Sequence, residues 1–359
     1  MRINGRLSRN IKDALYAPKN LLLRAIKGES LKPKWLVLMI TDRCNSRCVH
    51  CNIWRRKPIQ NPLTPEEIEK TLCDKLFEDV EYVLCTGGEP TVRSDLKDII
   101  LGIHKALPKA TLQLSTNAIL PDRAMDVVET ALANNIVLEV GVSLDGIGEN
   151  HDKVRGIKGN FERGDWLLHE LVKLREKYKN RLKVSAGIVL SDLTLSSLGD
   201  VRRYCNRLNI ILVETWYNES SFYDNTGKRI PISSKLVEAV KTQPPSPLQE
   251  RWLKALEGKS IRFPCFAMYK FFVLKCNGDV APCLSLWDAK AGNVRESSPS
   301  SIWKSPEAEK VRKVVRNCRG CLNSWGAGWS FKSSYYPILL FYLGHPLLAV
   351  KKLMGSRDI

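Results

Sequence analysis

Residues 35–51 read WLVLMITDRCNSRCVHC, a seven-residue apolar run that breaks after Thr41 into a short polar loop carrying Cys44, Cys48 and Cys51. A run this short, rich in Val, Ile and Leu and free of charge, fits a parallel strand covered on both faces. The rhythm repeats at 80–86 (VEYVLCT), 110–116 (ATLQLST), 136–144 (IVLEVGVSL), 183–190 (KVSAGIVL) and 209–216 (NIILVETW). Between these lie helical patterns at 64–78, 94–107, 121–134, 160–179 and 195–208. Thr64-Pro65-Glu66-Glu67 supplies an N-cap, a proline in the first turn and a capping-box glutamate, and Asn160 is expected to cap the fourth helix. Six such units predict an α/β protein with right-handed crossovers, either a partial (β/α)6 barrel or an open doubly wound sheet. In both, ligands bind at the carboxyl ends of the strands, so chemistry-bearing motifs should follow the apolar runs.

Composition sets the outer bounds. A chain of 359 residues has room for roughly two domains at about 150 residues each. Its 44% hydrophobic and 26% charged content excludes collagenous, low-complexity and wholly disordered classes. Eleven cysteines occur with no secretory-type segment, since the Leu21–Leu23 run stops at Arg24. Reduced thiols for metal binding and a cytoplasmic location are therefore expected. The net charge is +18, with +7 in residues 1–36 and +7 in residues 304–359. Basic ends favour a polyanion, either nucleic acid or an anionic lipid surface. The expected division is a basic amphipathic segment (1–34), a core (35–217), a linker with a second cysteine module (218–330) and an apolar–basic tail (331–359).

Every candidate motif follows a predicted strand. Cys44, Cys48 and Cys51 form a C-x3-C-x2-C loop suited to an iron–sulfur cluster. No fourth cysteine is near, because Cys73 falls in a helix, and three ligands leave one iron open. A structural zinc site would need His50 or His151 as fourth ligand. Gly87-Gly88-Glu89-Pro90 follows the second strand, where glycines permit close backbone approach and Glu89 can accept from an ammonium. Ser115-Thr116-Asn117 ends the third strand. Ser143-Leu144-Asp145-Gly146 ends the fourth and leads to His151-Asp152 and Arg155-Gly156, whose guanidinium suits a carboxylate. Farther on, Cys265, Gly278 and Cys283 give C-x12-G-x4-C, and Cys318 and Cys321 give C-x2-C. Two pairs brought together make a four-thiolate site for zinc or a closed iron–sulfur cluster, with Cys276 as a rival ligand. Cys73, Cys85 and Cys205 read as small buried hydrophobes. Glu214, Trp216 and Tyr217 end the last strand, as substrate contacts or as packing.

The run CNSRCVHC (44–51) resembles the signature of the radical S-adenosylmethionine enzymes, with His50 where the family usually has an aromatic. The resemblance covers about residues 36–216 and implies a partial (β/α)6 barrel. It implies that Cys44, Cys48 and Cys51 bind a 4Fe–4S cluster whose open iron is chelated by S-adenosyl-L-methionine. Cleavage of that cofactor yields a 5′-deoxyadenosyl radical that abstracts hydrogen from substrate. By the same resemblance Gly87, Gly88 and Glu89 hold the cofactor's amino group, and Asn117 lies near its ribose, with Ala118 where glycine is usual. The SLDG…HD…RG stretch is similar to that of the branch with sulfatase-maturing and peptide-modifying enzymes, where Ser143 and Arg155 would contact ribose or carboxylate. Cys265, Cys283, Cys318 and Cys321 resemble the twitch or SPASM extension, which holds an auxiliary 4Fe–4S cluster. Cys283 is preferred to Cys276 because it completes G-x4-C, and with no cysteine after Cys321 one auxiliary cluster is expected.

The expected function is a radical S-adenosylmethionine oxidoreductase, fed by a reductant such as flavodoxin or ferredoxin. Its substrate is an unidentified small molecule, sugar or lipid. A peptide substrate ranks lower, because the 34 residues before the first strand look too short for a leader-peptide module. The competing class is a non-catalytic iron–sulfur or zinc protein, against which Glu89, Asn117, Ser143 and Arg155 argue. The tail 335–350 (YYPILLFYLGHPLLAV) falls short of the ~20 apolar residues of a membrane span and contains Pro337 and Pro346. It reads as a packed tail or as an interfacial anchor with basic flanks. Near the N-terminus Ile11, Leu15, Leu22, Leu23 and Ile26 form an apolar stripe beside Lys12, Lys19, Arg24 and Lys27. Nucleic acid would explain the charge but not the apolar tail, so peripheral contact with an anionic membrane ranks above it.

Overall fold

The computed structural model describes residues 16–26, 28–242, 245–259, 263–319, 322–346 and 348. Six parallel strands pair in sequence order: β1 (Trp35–Thr41), β2 (Tyr82–Gly87), β3 (Thr111–Thr116), β4 (Leu138–Ser143), β5 (Leu182–Leu190) and β6 (Ile211–Trp216). The sheet does not close. On the other side of β1 it continues into β7 (Phe271–Leu274), parallel, and then β8 (Asp279–Ala281) and β9 (Gly292–Asn293), antiparallel. The result is a partial (β/α)6 sheet whose β1 edge is extended by the second cysteine module.

All seven residues of β1 are buried, as its unbroken apolar run requires. Strands β3, β4 and β5 alternate. In β4, Leu138, Val140 and Val142 are buried against the helices, whereas Glu139, Gly141 and Ser143 are half-buried on the concave face. The helices covering the convex side include α2 (Pro65–Leu72), α3 (Leu96–Ala106), α4 (Pro121–Ala133), α6 (Asn160–Tyr178) and α7 (Leu195–Arg207). Their apolar stripes and the strands' buried positions form one continuous core. Thr64 and Glu67 close the capping box on α2 as the sequence predicts.

Three expectations change. The run after Asp145 is a short helix, α5 (Glu149–Arg155). Asn160 does not cap α6. Its side chain is drawn to the Asn117 carbonyl (2.9 Å), and Asp152 takes the capping role by accepting from the Gly159 and Phe161 amides. The linker expected from residue 218 onward contains α8 (Ser234–Lys241) and α9 (Pro247–Leu256), both capped by serine.

After α10 (Pro299–Lys304) and α11 (Pro306–Asn317), α12 (Ser324–Ser334) crosses the amino ends of the strands and α13 (Tyr336–Gly344) packs on α12 and α9. Trp329 of α12 lies 4.5 Å from the Trp35 ring and 5.5 Å from the Tyr82 ring. The Tyr82 hydroxyl donates to Glu139 (2.5 Å) and lies 2.7 Å from the Gln113 side-chain amide, and Lys183 pairs with Glu139 (2.7 Å). A tryptophan and a polar layer therefore stopper one mouth of the concave face, leaving the carboxyl ends of the strands as the working end.

Candidate cofactor-binding site

The cysteine loop has no regular structure of its own, and its shape comes from its neighbours. Gly88 and Glu89 donate their amides to Thr41 and Arg43 carbonyls (2.7 and 2.8 Å), stitching the end of β2 to the stem of the loop. A Cβ at Gly87 would lie 2.1 Å from the Thr41 oxygen, and one at Gly88 2.1 Å from the Arg43 oxygen. The double glycine thus answers a backbone–backbone approach, where the sequence suggested an approach to ligand. Gly88→Ala is expected to push residues 41–43 off β2 and to lower iron at the three-cysteine loop severalfold. Iron per chain after anaerobic reconstitution measures this.

Two further walls hold the loop. Arg47 and Val49 amides donate to the Arg155 and Val154 carbonyls of α5 (3.0 and 2.8 Å). The segment after β6 forms the other wall: Asn52 donates to the Tyr223 carbonyl (2.8 Å), Asn225 to the His50 carbonyl (3.0 Å), and Arg56 to that of Ser221. Residues 218–225 are therefore part of the site, although their composition reads as a linker.

Glu89 and Asn117 form a buried hub. The Glu89 carboxylate accepts from the Asn117 amide (2.6 Å), the Thr116 hydroxyl (2.8 Å), and the Thr91 hydroxyl and amide (2.7 and 3.2 Å). Burial pushes its carboxyl up from the ordinary range, and these donors oppose the shift. The carboxylate, expected to accept from an ammonium, takes these donors from its own chain and so fixes Asn117. The Asn117 side chain donates to Asn45 (2.8 Å), which sits between two of the loop cysteines, and reaches to 3.9 Å from the Cys44 sulfur. Ala118 stands at φ 58°, a left-handed conformation in which glycine is unstrained, which accounts for the family's usual glycine at this place.

Arg155, expected to meet a cofactor carboxylate or ribose, is only 8 % exposed. Its Nε lies 2.8 Å from Asp145 Oδ2, and its Nη1 donates towards the Cys48 sulfur at 3.7 Å. Burial alone would lower the guanidinium's pKa, but Asp145 and Cys48 raise it. For Asp145, burial pulls the carboxyl up, yet Arg155 and His50 hold it below its usual range. Asp145 also accepts from the Val189 amide of β5 (2.8 Å). His50 and His151, the candidate fourth ligands for zinc, both face Asp145. His50 Nδ1 is 4.0 Å from its carboxylate, and His151 Nδ1 accepts from its amide (3.1 Å). Burial pushes both imidazoles down to about 4. Ser143 ends β4 opposite Gly187 on the concave face.

Two of the three sulfurs meet donors that suit an anionic cluster, while Cys51 faces the Tyr223 carbonyl (3.7 Å). Cys48 meets Ser46 (3.0 Å) and Arg155, and Cys44 faces Asn117, all of them groups that can donate to a thiolate. Burial pushes the Cys44 thiol up to about 12 and the Cys51 thiol to about 11, so cluster binding must release protons there. Among the described residues, no three His, Cys, Asp or Glu side chains converge on a point where one metal ion would sit.

A second site lies beside β7. Cys265, Cys283 and Cys318 line one cavity of about 240 Å³, with Phe271, Leu286 and Val315 among its apolar walls. The Cys283 sulfur accepts from the Leu286 amide (3.3 Å). Cys321 lies outside the described residues. Cys276 does not line this cavity; it is buried near Leu63 and Ile68, with its thiol pushed up to about 12 by burial and Asp42. Three thiols gathered in one chamber fit a cluster held wholly by protein. At the end of β6, Glu214 pairs with Arg202 of α7 (2.7 and 2.9 Å) and Trp216 joins the core, so both face the helices and not the mouth. Tyr217 is buried, with its hydroxyl on the Lys228 carbonyl.

Comparison with known proteins agrees in order and extent. Residues 38–204 match the radical SAM superfamily and residues 265–322 an iron–sulfur cluster-binding domain of SPASM type. The Fe-coproporphyrin III synthase of Methanosarcina barkeri is 38% identical over 130 residues, covering 35% of this chain and 31% of that protein. A probable GTP 3′,8-cyclase of Methanococcus vannielii is 32% identical over 178 residues, covering 49% and 56%. The chain thus spans from about a third to just over half of these relatives' lengths. Among solved structures, Streptococcus suis SuiB aligns with a TM-score of 0.60 at 18% identity, covering 84% of this chain and 72% of that one. anSMEcpe with bound AdoMet and a peptide aligns at 0.58 and 17%, covering 89% and 99%; at these identities both speak to fold alone. The first domain implies a 4Fe–4S cluster with S-adenosylmethionine, and the second implies auxiliary iron–sulfur chemistry. With both domains matched in sequence order on the partial barrel described above, the chain belongs to the radical SAM superfamily of enzymes, in the branch that carries a SPASM/twitch auxiliary domain.

Proposed function

We propose that the chain is a radical S-adenosylmethionine oxidoreductase acting on a small organic substrate, with one auxiliary 4Fe–4S cluster in electron transfer. The observation that carries this reading is the pairing of two thiol sites on one sheet. Cys44, Cys48 and Cys51 stand at the carboxyl end of β1, and Cys265, Cys283 and Cys318 gather in one cavity beside β7. In this reading residues 35–217 form the catalytic core, and the auxiliary module lies within 218–330 with Cys321 as its fourth ligand. Cys44, Cys48 and Cys51 would hold the first cluster, with S-adenosylmethionine on its open iron supplying the hydrogen-abstracting radical. Gly87, Gly88, Asn117 and Ser143 would border that cofactor. Glu89 would act by fixing Asn117, and Arg155 by charge and a hydrogen bond at Cys48. The second cluster would take an electron from the substrate radical and pass it on, and an external reductant of flavodoxin or ferredoxin type would prime the first.

The concave face favours a small substrate. Gly141, Ser143, Ser185 and Gly187 leave room there, and the described relatives are named for a small-molecule product in one case and a small-molecule substrate in the other. The test is iron, sulfide and zinc per chain in anaerobic protein, with 5′-deoxyadenosine formation under reducing conditions. About eight irons and eight sulfides with little zinc are expected. Four irons with one zinc would remove the auxiliary electron path and leave a redox-neutral reaction.

A further inference from the structure

We propose that the outer sides of α13 and of the N-terminal helix α1 (16–26) form a docking surface for an anionic lipid membrane. Helix α13 faces inward through Phe341, which is 4 % exposed, and His345 beyond it pairs with Glu250 of α9 (3.2 Å). Its opposite side presents Leu339, Leu340 and Leu343, which are 53, 47 and 70 % exposed. A spacing of one and four residues puts all three on one stripe. Helix α1 is fixed in the same way. Leu21 and Leu23 pack on the cluster around Trp35 and Phe266, and Asn20 donates to the Ser333 carbonyl of α12 (3.1 Å). Arg24, expected in a basic outer stripe, is turned inward and donates to the Cys265 carbonyl (2.8 Å). What remains outside is Tyr16, Leu22 and Ile26, at 59, 59 and 74 % exposure. Ile11, Leu15, Lys12 and Lys27 lie outside the described residues.

Single exposed leucines are ordinary on a protein surface, but six large apolar side chains on two helices that both contact α12 are not. Charge identifies the occupant. Each end of the chain carries +7, Lys19 and Lys332 are exposed on α1 and α12, and Lys351 and Lys352 follow α13 in sequence. An anionic bilayer meets both features at once, leucines beneath the headgroups and lysines at the phosphates. Nucleic acid would meet the charge and leave the leucines in water. Helix α13 has nine residues, and no described helix is long and apolar enough to cross a membrane, so the contact is made from one side.

The test is flotation of the full-length, anaerobically prepared protein with vesicles of phosphatidylcholine mixed with phosphatidylglycerol, beside vesicles of phosphatidylcholine alone. The wild-type chain is expected to float with the anionic vesicles and to be released by salt. L339S/L340S/L343S is expected to bind on the order of a hundredfold more weakly, with unchanged circular dichroism and iron content. Absence of flotation, or equal flotation of the triple variant, overturns the proposal. So does a wild-type dimer that the triple variant turns into a monomer without any vesicle binding, since a second copy then covers the leucines.

Discussion

The Asp145→Asn variant is expected to be less stable than the wild type by roughly 3–5 kcal/mol, the usual cost of leaving a buried charge unpaired. Asp145 is fully buried, ion-paired with the Arg155 guanidinium and accepting from the Val189 amide. An asparagine can accept from one of them only by turning its own amide hydrogens onto the other. Chemical denaturation of the apo protein measures the loss. The double variant Asp145→Leu/Arg155→Met is expected to recover most of the stability, because neither charge then remains in the core. If the single variant melts like the wild type, the pair is not the clamp described here. The acid side gives a second reading of the same site. A carboxyl held below its ordinary range stabilises the fold above the unfolded value near 4, and that contribution is lost as pH falls through the folded value. His151, pushed down to about 4 from 6.5 by burial, adds a loss that begins higher. Unfolded chains gain its proton from pH 6.5 downward while the native state does not. Stability should therefore start to decline near pH 6.5, and the difference between wild type and Asp145→Asn should shrink only at the acid end.

Cys283→Ala is expected to halve the iron per chain and to abolish product while 5′-deoxyadenosine still forms. Cys283 lines the cavity with Cys265 and Cys318, whereas Cys44, Cys48 and Cys51 follow the far end of β1 and receive no support from it. The first cluster should survive the substitution intact. Cys276→Ala is the matched control: a buried thiol is removed, but one that does not line the cavity, and iron should not change. Turnover at the wild-type level in Cys283→Ala would remove the auxiliary site from the electron path.

Strand β1 was legible because a parallel strand buried on both faces writes itself as an unbroken apolar run, and it matches that run at both ends. The helices around the sheet carried their stop and start signals locally, as Thr64 and Glu67 do. The second module was legible only as cysteine spacing. Strands β7, β8 and β9 are four, three and two residues long, too short to show any period. The site was harder to read. That Glu89 serves Asn117, and that Arg155 turns to Cys48, depends on partners brought together by the fold from 28 and 107 residues away. Residues 218–225 against the cysteine loop follow the same rule. Their sequence suits a loop, and only tertiary contact gives them work.

One strand serves both thiol sites. Val37 and Met39 of β1 pack in the apolar cluster that touches Cys44 and Cys51, and Trp35, at the strand's other end, packs in the cluster that touches Cys265 and Cys283. On its open side β1 is laddered to β7 through four registered residue pairs. Strands β1 and β7 are joined directly by hydrogen bonds along this path, so under the proposed electron transfer the gap between the sites would be set by one hydrogen-bonded ribbon. Tunnelling between the two sites should then keep one rate whatever the viscosity of the solvent. A substrate radical formed in the concave face would be quenched on a fixed clock, and its lifetime would be built into the sheet.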